Sequence, residues 1–294
     1  MDLIKTDFAD EQIKNIKTDS YILKQKQYKD VSLTHVKITK KTKEIQKDVG
    51  NYVSLDFISL ADKKDREQIS NVLLKALHQI YQINQDDKVL IVGLGNSNIL
   101  ADSLGPLVAD KVVVTNHLFK LFPSEVDNNL KRVCAFTPKV MGQTGLESSD
   151  LIKSIVKLYQ PTLVIVIDSL ASSSVKRINK VIQINDTGIA PGSGIGNFRK
   201  PINEQFLKTP VIAIGVATVV SATKIVEEAL FKYCYKTHTN LSKYKQRQII
   251  DEILQHKSLN LVVTPKEIDE DIEHLSTIIA SALNKYIHND CSNV

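Results

Sequence analysis

Lys88-Val-Leu-Ile-Val-Gly93-Leu-Gly95-Asn-Ser-Asn-Ile-Leu-Ala-Asp102-Ser-Leu-Gly-Pro106 is the stretch that decides the fold class. Val89 to Val92 form a continuous apolar run without alternation, the pattern of a strand buried on both faces in a parallel sheet. A glycine turn at Gly93 and Gly95 ends the run, and a polar loop delivers Asp102 just ahead of Leu104-Gly105-Pro106. A second run, Leu163 to Ile167, is the most apolar in the chain and ends on Asp168. Ligands and chemistry in such sheets collect beyond the carboxyl ends of the strands, so both aspartates are placed where chemistry happens.

Working outward, Asp65 to Tyr81 has helical spacing (Ile69, Val72, Leu73, Ala76, Leu77, Ile80) and leads into the first run. Val31 to Ile38 and Tyr52 to Ile58 carry the β-branched and aromatic content of strands. Residues 1 to about 30 are polar and lysine-rich and predict a loosely held leader. Past Pro106 the pattern predicts a helix to about Lys111, an extended Val112 to Thr115, a strand at Val133 to Phe136, and a helix from Glu147 to Tyr159 that Pro161 stops. Lys180 to Asn185 alternates like an antiparallel strand, Pro210 to Gly215 reads as another buried strand, and Ala217 to Tyr235 as the helix after it. From Leu241 the pattern is helical, interrupted at Leu259 to Val263. The expected architecture is α/β: a three-layer α/β/α arrangement of phosphorylase/hydrolase-like type, with a mostly parallel central sheet and an N-terminal β/α appendage. No repeat or low-complexity linker divides it, which leaves one main domain with its core at residues 86–235.

The 294 residues are 43% hydrophobic, enough for a substantial core. The net charge of +5 is spread among 33 acidic residues rather than gathered in a block, and neither an aromatic stacking pattern nor a groove-reading motif accompanies it. The expectation is no direct nucleic-acid partner. Three widely spaced cysteines, Cys134, Cys234 and Cys291, point to reduced thiols in a cytoplasm and away from a disulfide framework or a zinc site. The acidic N-terminus does not read as a signal peptide, and no stretch is long enough to span a bilayer.

The glycines of the opening stretch invite a dinucleotide reading, but Asn98 stands at the third glycine position and no Gly-Lys-Ser/Thr follows. Neither that fingerprint nor a P-loop is met, and no cofactor is expected. Asp102 and Asp168 form the stronger constellation: two carboxylates in one poorly solvated site cannot easily both ionise, so the pair shares a proton, one member a base and the other an acid. The alternative is a helix cap at Asp168 and a solvated loop residue at Asp102. Asp186 to Asn197, with four glycines and a proline, offers many backbone N–H groups and little bulk, which suits close approach of a peptide or an anion. His117 fits a hydrogen-bonded structural role better than a ligand or acid, Glu147 fits a capping box with Thr144 as well as it fits substrate binding, and Cys134 is most simply a small buried hydrophobe.

Taken in order, Gly93-Leu-Gly-Asn96, Ala101-Asp102-Ser-Leu-Gly-Pro106, Val114-Thr-Asn-His117-Leu-Phe119, Val140-Met-Gly-Gln-Thr-Gly-Leu-Glu147, Ile167-Asp168-Ser-Leu-Ala171, Gln183-Ile-Asn-Asp-Thr-Gly-Ile189, Pro191-Gly-Ser-Gly-Ile-Gly-Asn197 and Pro210-Val-Ile-Ala-Ile-Gly215 resemble the motifs of the spore germination proteases. Leu261-Val-Val-Thr-Pro-Lys-Glu-Ile-Asp269 adds a C-terminal match. The resemblance implies an endopeptidase that cleaves small acid-soluble DNA-binding spore proteins at germination, located in the forespore or spore core, homotetrameric, without a membrane or nucleic-acid partner, and similar in fold to the hydrogenase maturation endopeptidases. It places the essential aspartates on Asp102 and Asp168 and no metal. The 137–147 and 186–197 loops would shape the groove, with Asn96, His117, Thr144, Glu147, Asp186, Thr187, Ser193 and Asn197 as substrate-binding or supporting residues. Such proteases are made as self-processing zymogens, and Lys5-Thr6-Asp7-Phe8-Ala9-Asp10-Glu11 resembles their cleavage site. Autocleavage is expected between Asp7 and Phe8, which makes residues 1–7 a propeptide and 8–294 the mature domain. Asn116 and Ser173 stand where relatives carry arginines, and the region 235–258 is shorter than theirs. Two other readings remain open: a catalytically silent protein-binding module, and a metal-assisted peptidase using the dyad plus His117.

Overall fold

A computed structural model describes residues 6–14, 16, 18–127, 129–192, 199–254 and 261–288. The chain begins with a short helix, α1 (Ala9–Ile13), then a strand meander of β1 (Tyr21–Tyr28), β2 (Val31–Ile38) and β3 (Gly50–Phe57). The amphipathic helix α2 (Lys63–Ile80) leads into β4 (Lys88–Gly93), a 3-10 turn (Leu100–Asp102), α3 (Leu104–Lys111) and α4 (Asn116–Leu121). Next come β5 (Arg132–Phe136), α5 (Met141–Thr144), α6 (Ser148–Tyr159), β6 (Leu163–Ser172) and β7 (Val181–Asn185). The remainder is α7 (Glu204–Leu207), β8 (Val211–Ser221), α8 (Ala222–Lys236), α9 (Lys243–Leu254), β9 (Val262–Val263) and α10 (Ile268–His288). No helix among the described residues is long and apolar enough to cross a membrane.

One nine-stranded sheet runs through the molecule in the order β1-β2-β3-β7-β8-β6-β4-β5, with β9 paired to β8. Parallel pairing is confined to β5, β4, β6 and β8, as the unalternating runs predict. Every other pair is antiparallel, so the sheet is mixed rather than mostly parallel. The reason is β7: it lies antiparallel to both β8 and β3 and joins the N-terminal meander to the parallel strands. The N-terminal segment is therefore part of the central sheet and not an appendage to it.

Helices pack against this sheet through alternate residues of its strands. Val89, Ile91, Ile165, Ile167, Ile212 and Ile214 share a core with α2, α3 and α10. Leu90, Val92, Val164, Val166 and Val211 share another with Ile152 and Val156 of α6 and Leu207 of α7. Asp168, two residues beyond Val166, belongs to this second face by the period of two.

Two expectations about the elements fail, each for a physical reason. The leader is docked: Phe8, Ala9 and Ile13 are buried, held by side chains far away in sequence. Both β6 and β8 outrun their predicted ends, because Ser169 to Ser172 and Val216 to Ser221 keep pairing past the aspartate and glycine that looked like terminators. Val112 to Thr115, extended at Val112, joins no strand, and Thr115 bonds to Lys131 and Val133 beside β5.

Candidate active site

The backbone of the opening stretch brings Asp102 alongside the middle of β6, next to Asp168. Leu94 N–H donates to the carbonyl of Ile167 at 2.8 Å, which ties the turn after β4 to the residue before Asp168. Asn96 N–H then donates to the carbonyl of Asp102 at 2.9 Å, folding the loop back on itself. Glycine is required twice. A Cβ on Gly95, whose φ is +113°, would meet the Asp102 carbonyl oxygen at 2.0 Å, and one on Gly105 would meet backbone atoms of Leu94 and Ile167 at 2.2 to 2.6 Å. These glycines let the loop and the start of α3 press onto the strand ends, which is a packing role and not a phosphate cradle.

The two carboxyl groups interact. Asp168 is buried, 6% exposed. Burial and then the charge of Asp102 push its carboxyl well above the usual carboxylate range, against a hydrogen bond from Ser169 N–H, with Asp7 adding to the rise. Asp102 is less enclosed, and burial pushes its carboxyl up to about 6, opposed by Asn96 N–H. Both carboxyls are thus raised above the ordinary carboxylate range.

The third party to the site is the chain's own N-terminus. Asp7 N–H donates to the carbonyl of Ala171 at 3.1 Å, and the Asp7 carboxylate accepts from Ala171 N–H at 2.9 Å. Phe8 is fully buried in an apolar pocket of Leu170, Val181 and Ala217, with Ile189 at its margin. Gln183 Nε2 donates to the Asp7 carbonyl at 3.0 Å while its Oε1 accepts from Ala9 N–H at 2.8 Å. Beyond Ala9 the segment is latched by charge. Arg177 pairs with Asp10 and Glu11 at 2.9 Å each and with Asp56 at 2.8 Å, and its guanidinium lies over the Phe8 ring at 4.9 Å. Glu11 also accepts from Thr6, Ser172 Oγ and Ser173 N–H. Burial would raise the Glu11 carboxyl, but the Arg177 guanidinium and these donors together hold it below its ordinary value. A cleft of about 270 Å³ adjoins the segment, lined by Thr6, Asp7, Lys47, Tyr52, Gln183 and Thr187 among others.

Of the residues singled out in the sequence, Asp102, Asp168, Asp7, Phe8 and the Asn96 backbone converge here. Asn96 Oδ1 accepts from Gln143, which draws the α5 turn against the same loop, but the Thr144 hydroxyl is spent within that turn on Val140 and Leu146. Glu147 pairs with Arg199 at 3.3 Å. Asp186 accepts from the backbone and side-chain nitrogens of Asn51 at 2.7 Å, and Thr187 bonds Tyr52 and Asn185, so both brace β3 against β7. His117 is exposed at the start of α4. Among the described residues, no three His, Cys, Asp or Glu side chains converge in a group that could hold a metal ion. Ser193 and Asn197 lie outside the described residues. Gln183, Arg177 and Glu11 were not singled out. The signal for Gln183 was present, since it is a polar residue between the aliphatic Ile182 and Ile184 of a strand, whereas Arg177 and Glu11 are ordinary surface-type charges until the fold joins them.

The germination protease model of peptidase family A25 matches residues 2–240 and 237–293, nearly the whole chain. A germination protease of Clostridium perfringens (strain SM101 / Type A) is 37% identical over 288 residues, covering 92% of this chain and 89% of that protein. One of Clostridium acetobutylicum is 39% identical over 279 residues, 88% of this chain and 85% of its own length. One of Bacillus subtilis (strain 168) is 36% identical over 322 aligned residues, covering 92% and 87% respectively.

Proposed function

Because the chain belongs to the germination protease family and is an endopeptidase, we propose that Asp102 and Asp168 activate water against peptide bonds of small acid-soluble spore proteins, and that residues 1–7 are removed by the same site. The observation that carries this reading is the docking of Asp7 on Ala171, three residues past Asp168 in β6, where the Asp7 charge adds to the rise that burial and Asp102 impose on the Asp168 carboxyl. Near neutral pH Asp102, the stronger acid of the pair, is the carboxylate and takes a proton from water. The water oxygen bonds to the Asp7 carbonyl carbon. The carbon–nitrogen bond to Phe8 then breaks as Asp168 gives its proton to the departing nitrogen. The products are a carboxylic acid ending in Asp7 and a chain beginning at Phe8, and Asp168 recovers its proton from Asp102. The pocket around Phe8 explains a preference for an apolar residue after the scissile bond.

The wider reading follows the same family. Residues 8–294 act as one domain, supported by a core that runs from Val31 to Ile287, in a three-layer, phosphorylase/hydrolase-like arrangement. The work is done in the spore core. Exposed Phe231, Tyr233 and Tyr235 on α8 and Tyr244 on α9 suit contact between copies in a homo-oligomer. The test is a peptide spanning Met1 to Lys14, incubated with wild type, Asp102→Asn and Asp168→Asn, with and without chelator. Cleavage lost in both variants and indifferent to chelator supports the dyad, and activity retained by either variant refutes it.

A further inference from the structure

We propose that Gln183 is a catalytic residue that binds the scissile carbonyl and stabilises the negative charge it acquires. The inference rests on the reading of Asp7–Phe8 as the scissile bond. Three strands set the geometry: Asp168 of β6 is in register with Gly215 of β8, and Gly215 with Gln183 of β7. Register partners project to the same face of a sheet, so Asp168 and Gln183 stand on one face with no side chain between them in their row. The Leu170 side chain, which leans over Gly215 at 2.4 Å from where a Cβ would stand, packs on Phe8 of the peptide. Gln183 grips the peptide on both sides of the bond to be cut, its Nε2 at 3.0 Å from the Asp7 carbonyl oxygen and its Oε1 at 2.8 Å from Ala9 N–H.

A glutamine suits both jobs. Its amide carries a donor and an acceptor in one plane, and the hydrogen bonds fix which end is which. The side chain is 2% exposed, so neither atom has bulk water as a substitute. As water adds to the Asp7 carbonyl, the oxygen changes from a neutral acceptor to an oxyanion, and the Nε2 donor is already aimed at it. Asp102 and Asp168 are both acids engaged in proton transfer, so the charge on that oxygen needs a separate donor. The Ala9 contact holds the peptide in register for the attack and changes little along the reaction; the Asp7 contact strengthens with it. The two halves of the amide therefore have separable kinetic signatures.

The experiment uses the full chain and the peptide Met1 to Lys14, with cleavage followed by mass spectrometry and steady-state kinetics. Gln183→Glu, once ionised, keeps an acceptor for Ala9 N–H and loses the donor, so at a pH above its ionisation kcat should fall about 10²-fold with KM within about threefold. Gln183→Leu loses both, so KM should rise as well. A peptide with an ester in place of the Ala9 amide, which has no N–H there, should raise KM for wild type and leave Gln183→Leu unaffected; its wild-type arm needs no variant to fold. Gln183→Glu with unimpaired kcat on a peptide that wild type cuts after Asp7 overturns the inference alone. A wild type that cuts a different bond overturns the cleavage-site reading, and this inference with it.

Discussion

The charge of Asp102, on the turn that follows β4, reaches Asp168 inside the adjacent parallel strand β6, and together with burial it holds the Asp168 carboxyl far above its ordinary range while Asp102 sits at about 6. The proposed mechanism needs Asp102 ionised and Asp168 protonated. The pH profile of kcat/KM should therefore be bell-shaped, rising through about pH 6 as Asp102 ionises and falling at higher pH as Asp168 loses its proton. A profile flat between about pH 5 and 8 would be incompatible with this division of roles.

The same shifts cost stability. A carboxyl whose folded value is raised keeps its proton more tightly in the native state than in the unfolded chain. That stabilisation is complete below the unfolded value of 3.8 and is lost as pH rises through the folded value, about 6 for Asp102. For Asp102 the loss is on the order of 3 kcal/mol, at about 1.4 kcal/mol per unit. An asparagine is neutral at every pH. Asp102→Asn and Asp168→Asn should both be inactive yet melt higher than wild type at pH 8, with the gain gone at pH 4. Calorimetry at the two pH values checks it, and equal gains at both would refute the linkage.

Glu11 shifts the opposite way. Its folded value is depressed, so its stabilisation is present above the unfolded value of 4.5 and is lost as pH falls through the folded one. The latch on the N-terminal segment should hold from neutral pH into mild acid, where Asp102 gains a proton as well, and open only in stronger acid. Arg177→Ala leaves Asp10 and Glu11 without their guanidinium and should cost about 3 to 5 kcal/mol of local stability. Hydrogen exchange at Ala9 to Ile13 is the measurement; protection unchanged in Arg177→Ala would mean that the apolar contacts of Phe8 and Ile13 suffice without the latch.

How much of this was legible in the sequence depends on the range of the forces involved. The runs Val89 to Val92 and Leu163 to Ile167 carry their burial in their own composition, so the parallel strands and the aspartates beyond them could be read locally. β1 could not. It is an edge strand exposed along most of its length, so nothing in its residues alternates, and only pairing with β2 makes it a strand. The docked leader was illegible for a different reason: Glu11 and Arg177 are 166 positions apart, and no local pattern announces a partner that distant. Gln183 lay inside a motif, but its role depends on the row through Gly215, which exists only once β7 is known to run antiparallel to β8.

The glycines of the opening stretch give the sharpest separation between packing and chemistry. At Gly95 an added Cβ would lie 2.0 Å from the Asp102 carbonyl oxygen, in a backbone conformation with φ +113° that other residues rarely adopt. Neither the strain nor the clash can be relieved by a side-chain rotation, because the obstructing atom is backbone. The loop must open, and the hydrogen bond from Asn96 N–H to Asp102 that folds it back opens with it. Gly95→Ala should therefore lower kcat at least 10²-fold, since a displacement of about 1 Å at a reacting group is enough for that, and should cost roughly 1 to 3 kcal/mol. Gly142, in α5, has nothing within 4 Å of its own added Cβ. Gly142→Ala should leave activity unchanged and be neutral to slightly stabilising, by up to about 1 kcal/mol. Kinetics and melting curves of the two variants side by side make the comparison, and a fully active Gly95→Ala would show that the position of Asp102 is not set by the close approach of this turn.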